Sequence, residues 1–354
     1  MRGMRMPPPA WTAADAARTE NIRKKLVPTT ATVPDEPLAI VDRTVHICEV
    51  GLRDGLQLVR QVVPTDVKRR LAAALLDSGI AEIDATSFVP PHAFPQFADA
   101  AQIVAHVRHV SDSKARNVLV GALAPNLKGA ERAVEAGACA LYSIVSVSRS
   151  HNLANVRRTI EQQAAITADI RALIDRHPRG SRPRLIAGLP TAFGCSLEGR
   201  VPVAEVCRMA VLMSEIGADE ITLADTVGYA DPRLIKAVVK AVRDAVGKGM
   251  PLRLHLHDTM GLGLANVLAG LEVDITRFDA SIGGLGGCPF APGASGNIST
   301  EDLVFMLEQM GLRTGIDLGK LLQATDLLAQ SLPEERIRSH VREAGVPRIY
   351  GFAS

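Results

Sequence analysis

The chain has 354 residues, 47% hydrophobic and 22% charged, a balance that excludes a disordered chain and provides for a large buried core. Its 40 basic and 38 acidic residues leave a net charge of +2 without a basic tract, and aromatics make up only 3%, which argues against a nucleic-acid surface. No apolar run approaches the ~20 residues of a membrane span, and the opening residues lack the apolar core of a secretory signal.

Residues 1–38 are rich in Pro, Ala and Arg and read as a flexible extension outside the core. Their arginines admit a mitochondrial presequence as the rival reading, but Asp15 and Glu20 interrupt it and serine is absent. Beyond them, eight short apolar or β-branched runs read as strands: 44–50, 82–88, 117–123, 140–147, 184–190, 220–225, 252–258 and 277–282. Helical patterns lie between the runs. "TDVKRRLAAALLDSG" is expected to start with Thr65 as its cap and stop at Gly79, "VAEVCRMAVLMSEIG" to stop at Gly217, and "DPRLIKAVVKAVRDAVG" to run from a first-turn proline to Gly247. "TEDLVFMLEQMG" follows as the eighth helix, and "DLGKLLQATDLLAQSL" as a further one that packs on the barrel or on a partner subunit.

Eight such units predict an α/β fold, a (β/α)8 TIM barrel with an N-terminal extension and C-terminal helices; a doubly wound sheet is the runner-up. The expected division is 1–38 extension, 39–312 catalytic barrel and 313–354 C-terminal helical segment. Five cysteines, Cys48, Cys139, Cys195, Cys207 and Cys288, are odd in number and form no CxxC pair, so they read as reduced thiols of a cytoplasmic protein.

In such a barrel, chemistry gathers where strands end. "LRLHLHD" places His255 and His257 two residues apart, so on a strand both imidazoles share one face. At the end of the first strand, "EVGLRDGLQ" offers Asp54 as a hard oxygen ligand beside the fixed cation Arg53. Two histidines and one carboxylate suit Mg²⁺, Mn²⁺, Zn²⁺ or Fe²⁺, and spacing does not choose among them. After the eighth strand, the glycine-rich "GGLGGCPFAPGASGNISTEDL" presents Cys288 near the tip of a loop and Asn297 as a neutral oxygen donor.

"EVGLRDGLQ", "DATSFVPPHAFPQFADA", "PNLKGAERAVEAGA", "LADTVGYADP", "LHLHDTMGLGLAN" and "GLGGCPFAPGASGNISTEDLVFMLEQMG" together resemble the 3-hydroxy-3-methylglutaryl-CoA lyases over residues 44–325, the cysteine loop being the most discriminating segment. The resemblance implies a metal-dependent retro-Claisen cleavage of a 3-hydroxyacyl-CoA to acetyl-CoA and a keto acid, acetoacetate in the parent case, with leucine catabolism as its setting. It implies Mg²⁺ or Mn²⁺ held by Asp54, His255, His257 and Asn297, with Arg53 stabilising the enolate, Cys288 as general acid, and Asp84 and His255 also catalytic.

By the same resemblance, Glu49, Gln57 and Glu301 orient these groups, and Ser87, His151, Asn152 and Thr226 face the CoA or acyl carboxylate. The implied partner is a small-molecule CoA thioester, with no nucleic acid and no membrane, for a homo-oligomer, dimer or tetramer. A Claisen-type synthase or aldolase acting on a 2-oxo acid, and a non-catalytic CoA- or metal-binding barrel, are the alternatives.

Three positions depart from the family pattern. Asp84 stands where the lyases carry glutamate, "GLRDG" lacks the proline before arginine, and "LVR" follows Gln57 in place of a polar pair. A base shortened by about 1 Å costs of order 100-fold if the substrate is unchanged, so Asp84 also admits a substrate with a different 3-alkyl group, or a citramalyl-type thioester.

Overall fold

The computed structural model describes residues 43–114, 117–287 and 296–347. Eight parallel strands close into one barrel: β1 (His46–Glu49), β2 (Glu82–Ser87), β3 (Leu119–Leu123), β4 (Ala140–Ile144), β5 (Arg184–Leu189), β6 (Glu220–Asp225), β7 (Leu252–Leu256) and β8 (Arg277–Ala280). Pairing of His46 with Arg277 through Glu49 with Ala280 seals β1 to β8. All eight strands fall within the runs read from sequence, and the (β/α)8 architecture is the one expected.

Around the barrel lie α1 (Thr65–Asp77), α2 (Ala100–Ser113), α3 (Leu127–Glu135), α4 (Arg149–Val156), α5 (Ile160–Asp175), α6 (Val203–Ile216), α7 (Pro232–Val246), α8 (Gly263–Leu271) and α9 (Thr300–Gln309). Their ends follow local chemistry. Asp231 caps α7 by accepting the Leu234 N–H, with Pro232 in the first turn, and Ser299 caps α9 by accepting the Asp302 N–H. Gly217 ends α6 in the left-handed conformation, at φ 96°. One expectation is corrected: Pro64 occupies the cap position of α1, and Thr65 is already inside the helix, its hydroxyl donating to Asp99 at 2.8 Å.

The chain then continues into α10 (Leu318–Ser331), which packs on α1, and the short α11 (His340–Ala344). Buried Asp302 on α9 holds this last segment by accepting the His340 and Val341 N–H groups at 3.0 and 2.9 Å. No helix among the described residues is long and apolar enough to cross a membrane.

Strand alternation sorts side chains into two sets. Leu254 and Leu256, with Ile221, Leu223 and Phe278, belong to the buried apolar set. The other set fills the barrel's interior, and near its N-terminal end it is ionic. Glu82, Glu220, Arg253 and Asp279 are all buried there and linked by hydrogen bonds, with Arg277 beside them. Tyr142 crosses the same space, its hydroxyl donating to Glu82 at 3.2 Å and lying 3.3 Å from the Cys48 thiol. Gly121 makes room for it, because a Cβ there would sit 2.2 Å from the Tyr142 ring. We expect Gly121→Ala to lower the unfolding free energy by about 1–3 kcal/mol, as overpacking does, read by equilibrium denaturation.

Candidate active site

A cavity opens at the C-terminal ends of the strands. Arg53, Asp54 and Gln57 line it from the β1 turn, Asp84 and Ser87 from β2, Thr226 from the β6 loop, His255 and His257 from β7, and Asp279 from β8. Apolar walls come from Phe94, Leu123, Tyr142 and Ile144, among others. The β2–β3 register shifts between Asp84 and Ser87, a local irregularity of the kind that re-aims side chains beside sites.

Asp54, His255 and His257 bring one ligand atom each to within 4.8 Å of one another. The two imidazole Nε2 atoms are 3.2 Å apart and lie 4.0 and 3.9 Å from Asp54 Oδ2. Burial, reinforced by the neighbouring His255, depresses His257 to about 4, which leaves it neutral with a lone pair to give. Burial would raise Asp54, but Arg53 and the two histidines outweigh it and hold the carboxyl down at about 2. Asn297 adds a fourth candidate: its amide N–H donates to Asp54 at 2.7 Å, and its Oδ1 is buried without a hydrogen-bond partner among the described residues. Two imidazole nitrogens, one ionised carboxylate and an amide oxygen without a partner among the described residues fit a divalent cation.

Arg53 serves two acids at once. Its Nη1 donates to Asp54 at 2.5 Å and its Nε to Asp84 at 2.6 Å. The acids nevertheless differ: Asp84 is nearly fully buried, and burial lifts it to about 6 in spite of the guanidinium. Its second oxygen, Oδ1, is buried with no hydrogen-bond partner among the described residues.

The loop after β8 is stitched back onto the strands. Asp258 N–H donates to Gly296 O, Ile298 N–H to Leu256 O, and Ser281 N–H to Ile298 O, which brings Asn297 opposite His257. Gly286 must be glycine for this closure, since at φ 123° its Cβ would meet the Asn297 amide at 2.4 Å and Asp54 at 3.2 Å. Glu49 accepts hydrogen bonds from Gly51 N at 2.7 Å, Ile282 N at 2.9 Å and the Thr300 hydroxyl at 2.6 Å, while burial pushes its carboxyl up to about 8. Glu301 accepts from Gly283 N, the Ser299 hydroxyl at 2.5 Å and the Thr325 hydroxyl.

Of the residues singled out in the sequence, the cavity thus gathers Arg53, Asp54, Gln57, Asp84, Ser87, His151, Thr226, His255 and His257, with Asn297 bonded to its edge. Glu49 and Glu301 do not line it; they anchor the loops that do. Asn152 is turned elsewhere, its amide capping the backbone of Ser146 and Arg158. Cys288 lies outside the described residues, next in sequence to the cavity-lining Gly287. Sequence reasoning passed over Asp279, which accepts from His255 Nδ1 at 3.1 Å, and Arg253, which bonds Asp279. Their signal was available: a carboxylate in "RFDASI" and an arginine two residues before His255, each on the charged face of an otherwise apolar strand.

A family model described as HMGL-like matches residues 44–328. The mouse protein named hydroxymethylglutaryl-CoA lyase, mitochondrial, is 38% identical over 85% of this chain and 89% of its own length. The Arabidopsis thaliana protein of the same name is 39% identical over 82% of this chain, which spans 60% of that longer protein. Among solved structures, an HMG-CoA lyase from Acinetobacter baumannii in complex with coenzyme A and 3-methylmalate aligns with a TM-score of 0.79 at 42% identity, over 86% of this chain and 96% of that one.

Replacing Glu49 with alanine strands two backbone N–H groups and a hydroxyl at the foot of the site. We expect Glu49→Ala to destabilise the protein by about 2–4 kcal/mol, measured by chemical denaturation.

Proposed function

The chain belongs to the HMGL-like family, and we propose on that footing that it cleaves 3-hydroxy-3-methylglutaryl-CoA to acetyl-CoA and acetoacetate. It is an enzyme, a carbon–carbon lyase of the HMG-CoA lyase type. The observation that carries the proposal is the meeting of a two-histidine, one-carboxylate cluster with an Arg53–Asp84 pair in one cavity at the barrel's C-terminal mouth.

The cofactor is a divalent metal, and we assign Mg²⁺ or Mn²⁺, held by Asp54, His255, His257 and Asn297. Bound there, it supplies Lewis acidity that lowers the pKa of the substrate's C3 hydroxyl. Asp84 takes the hydroxyl proton, a role suited to a carboxylate lifted to about 6. The C2–C3 bond then breaks, its electron pair passing to C2 as the thioester enolate while C3 becomes the ketone. Arg53, protonated at every working pH and fixed by two carboxylates, faces the developing enolate charge. Cys288 gives its thiol proton to C2, an assignment supported by its place one residue beyond the cavity-lining Gly287. The apolar walls from Phe94 to Ile144 keep water from the enolate.

The mouse and Arabidopsis relatives carry "mitochondrial" in their names.

The test is acetyl-CoA release from HMG-CoA with saturating Mg²⁺ or Mn²⁺, beside a chelator control. Metal-dependent release, reduced by about 10²–10⁴-fold in His257→Ala, is expected; no release by the wild type, with release gained in Asp84→Glu, would mean that another thioester is the substrate. Because the Asp84 carboxyl is raised, the base is protonated and idle below its pKa, so kcat/KM should fall as pH drops through about 6. Asp84→Asn should lose that limb and retain only a low, flat rate.

A further inference from the structure

We propose that Arg253 is a positioning residue for the metal-binding His255, acting through Asp279, an inference that rests on the metal-centre reading above. Arg253 lies in the barrel interior at 1% exposure, and all sides of its guanidinium are engaged. Nε donates to Glu220 Oε1 at 2.5 Å, Nη2 to Glu82 Oε1, and Nη1 to Asp279 Oδ1 at 3.0 Å. Asp279 then uses its other oxygen, Oδ2, for His255 Nδ1 at 3.1 Å. One carboxylate therefore joins a fixed cation to the histidine.

The consequence is a tautomer. A carboxylate accepts and does not donate, so His255 carries its proton on Nδ1 and turns the Nε2 lone pair toward Asp54 and His257. Arg253 prevents Asp279 from rotating away, because guanidinium can only donate and its other sides are held by Glu82 and Glu220. The rival account makes Arg253 a plain counter-ion for the two buried glutamates. That role is already shared by Arg277, which donates to Glu82 Oε2 at 2.7 Å and Glu220 Oε1 at 3.0 Å.

The two accounts part at Asp279→Asn. With Arg253 present, the amide must offer its oxygen to the guanidinium, so its NH₂ faces His255 Nδ1 and drives the imidazole proton onto Nε2, the ligand atom. Removing Arg253 as well frees the amide to turn over and accept from Nδ1–H. The second substitution should thus repair the first, an outcome a counter-ion role does not produce.

The experiment is titration of the metal-free full-length protein with Mn²⁺, counting free ion by electron paramagnetic resonance, on the wild type, Asp279→Asn and Asp279→Asn/Arg253→Met, each checked by thermal melting. Asp279→Asn is expected to weaken Mn²⁺ binding about 10–100-fold, and the double variant to recover about tenfold or more of that loss. Unchanged affinity in Asp279→Asn, or a further loss in the folded double variant, overturns the inference while wild-type binding leaves the metal centre standing. A wild type that does not bind Mn²⁺ overturns the metal centre and this inference together. Should the double variant fail to fold, ¹⁵N-histidine spectra of the metal-free wild type and Asp279→Asn, recorded at a pH high enough that His255 holds a single ring proton, decide: that proton on Nδ1 in the first and Nε2 in the second is expected, and the same nitrogen in both overturns the inference.

Discussion

A single guanidinium in the middle of the barrel sets the terms for the rest of the structure. Arg253 reaches from β7 to carboxylates on β2, β6 and β8, so four of the eight strands meet at one cation. Barrels of this kind ordinarily fill such a layer with branched aliphatic side chains. Here an ionic layer replaces part of it, and the desolvation of buried charge is offset only because each charged group finds opposite charge and donors in matching geometry. The arrangement is specific in a way that aliphatic packing is not, since loss of one member leaves another buried and unpaired. It also hands a fixed hydrogen bond upward, through Asp279, to the histidine above it.

On that base the site is assembled from distant parts of the chain. Strand β7 delivers His255 and His257 by alternation and the turn after β1 delivers Arg53 and Asp54, but Asn297 arrives only because the limb that returns after β8 pairs alongside Leu256 and Asp258. Glu49 and Glu301 make this possible from below. Each gathers donors from the turn after β8 and from the start of α9, so the mouth of the cavity is held by buried carboxylates that never touch it.

Asp54 and Asp84 show how environment divides one chemistry into two. Both bond the same guanidinium, yet Asp54 lies at about 2, beside two histidines, and Asp84 at about 6, deeper among β2 and its neighbours. A carboxylate that stays ionised suits a cation ligand, whereas one near the working pH suits proton transfer. The Asp84 side chain is locked to Arg53 through one oxygen, and the other has no hydrogen-bond partner among the described residues.

The sequence by itself determined the barrel. Eight apolar or β-branched runs separated by capped helical patterns favour the barrel over a doubly wound sheet by their count and spacing, and period-two alternation places His255 and His257 on one face before any contact is known. It also placed Arg53 and Asp54 after the first strand and Asp84 in the second, because in this fold position along a strand is position in the site. Tertiary structure alone decided the rest. That Glu49 and Glu301 are anchors, that Asn152 caps a turn away from the cavity, and that Thr65 follows the cap of α1 all depend on which partner lies nearest, and sequence spacing carries no such information. Arg253 and Asp279 are the clearest case: 26 positions apart, they are joined only when β7 and β8 pair, because a hydrogen bond is set by distance in space and barrel closure is what creates that distance.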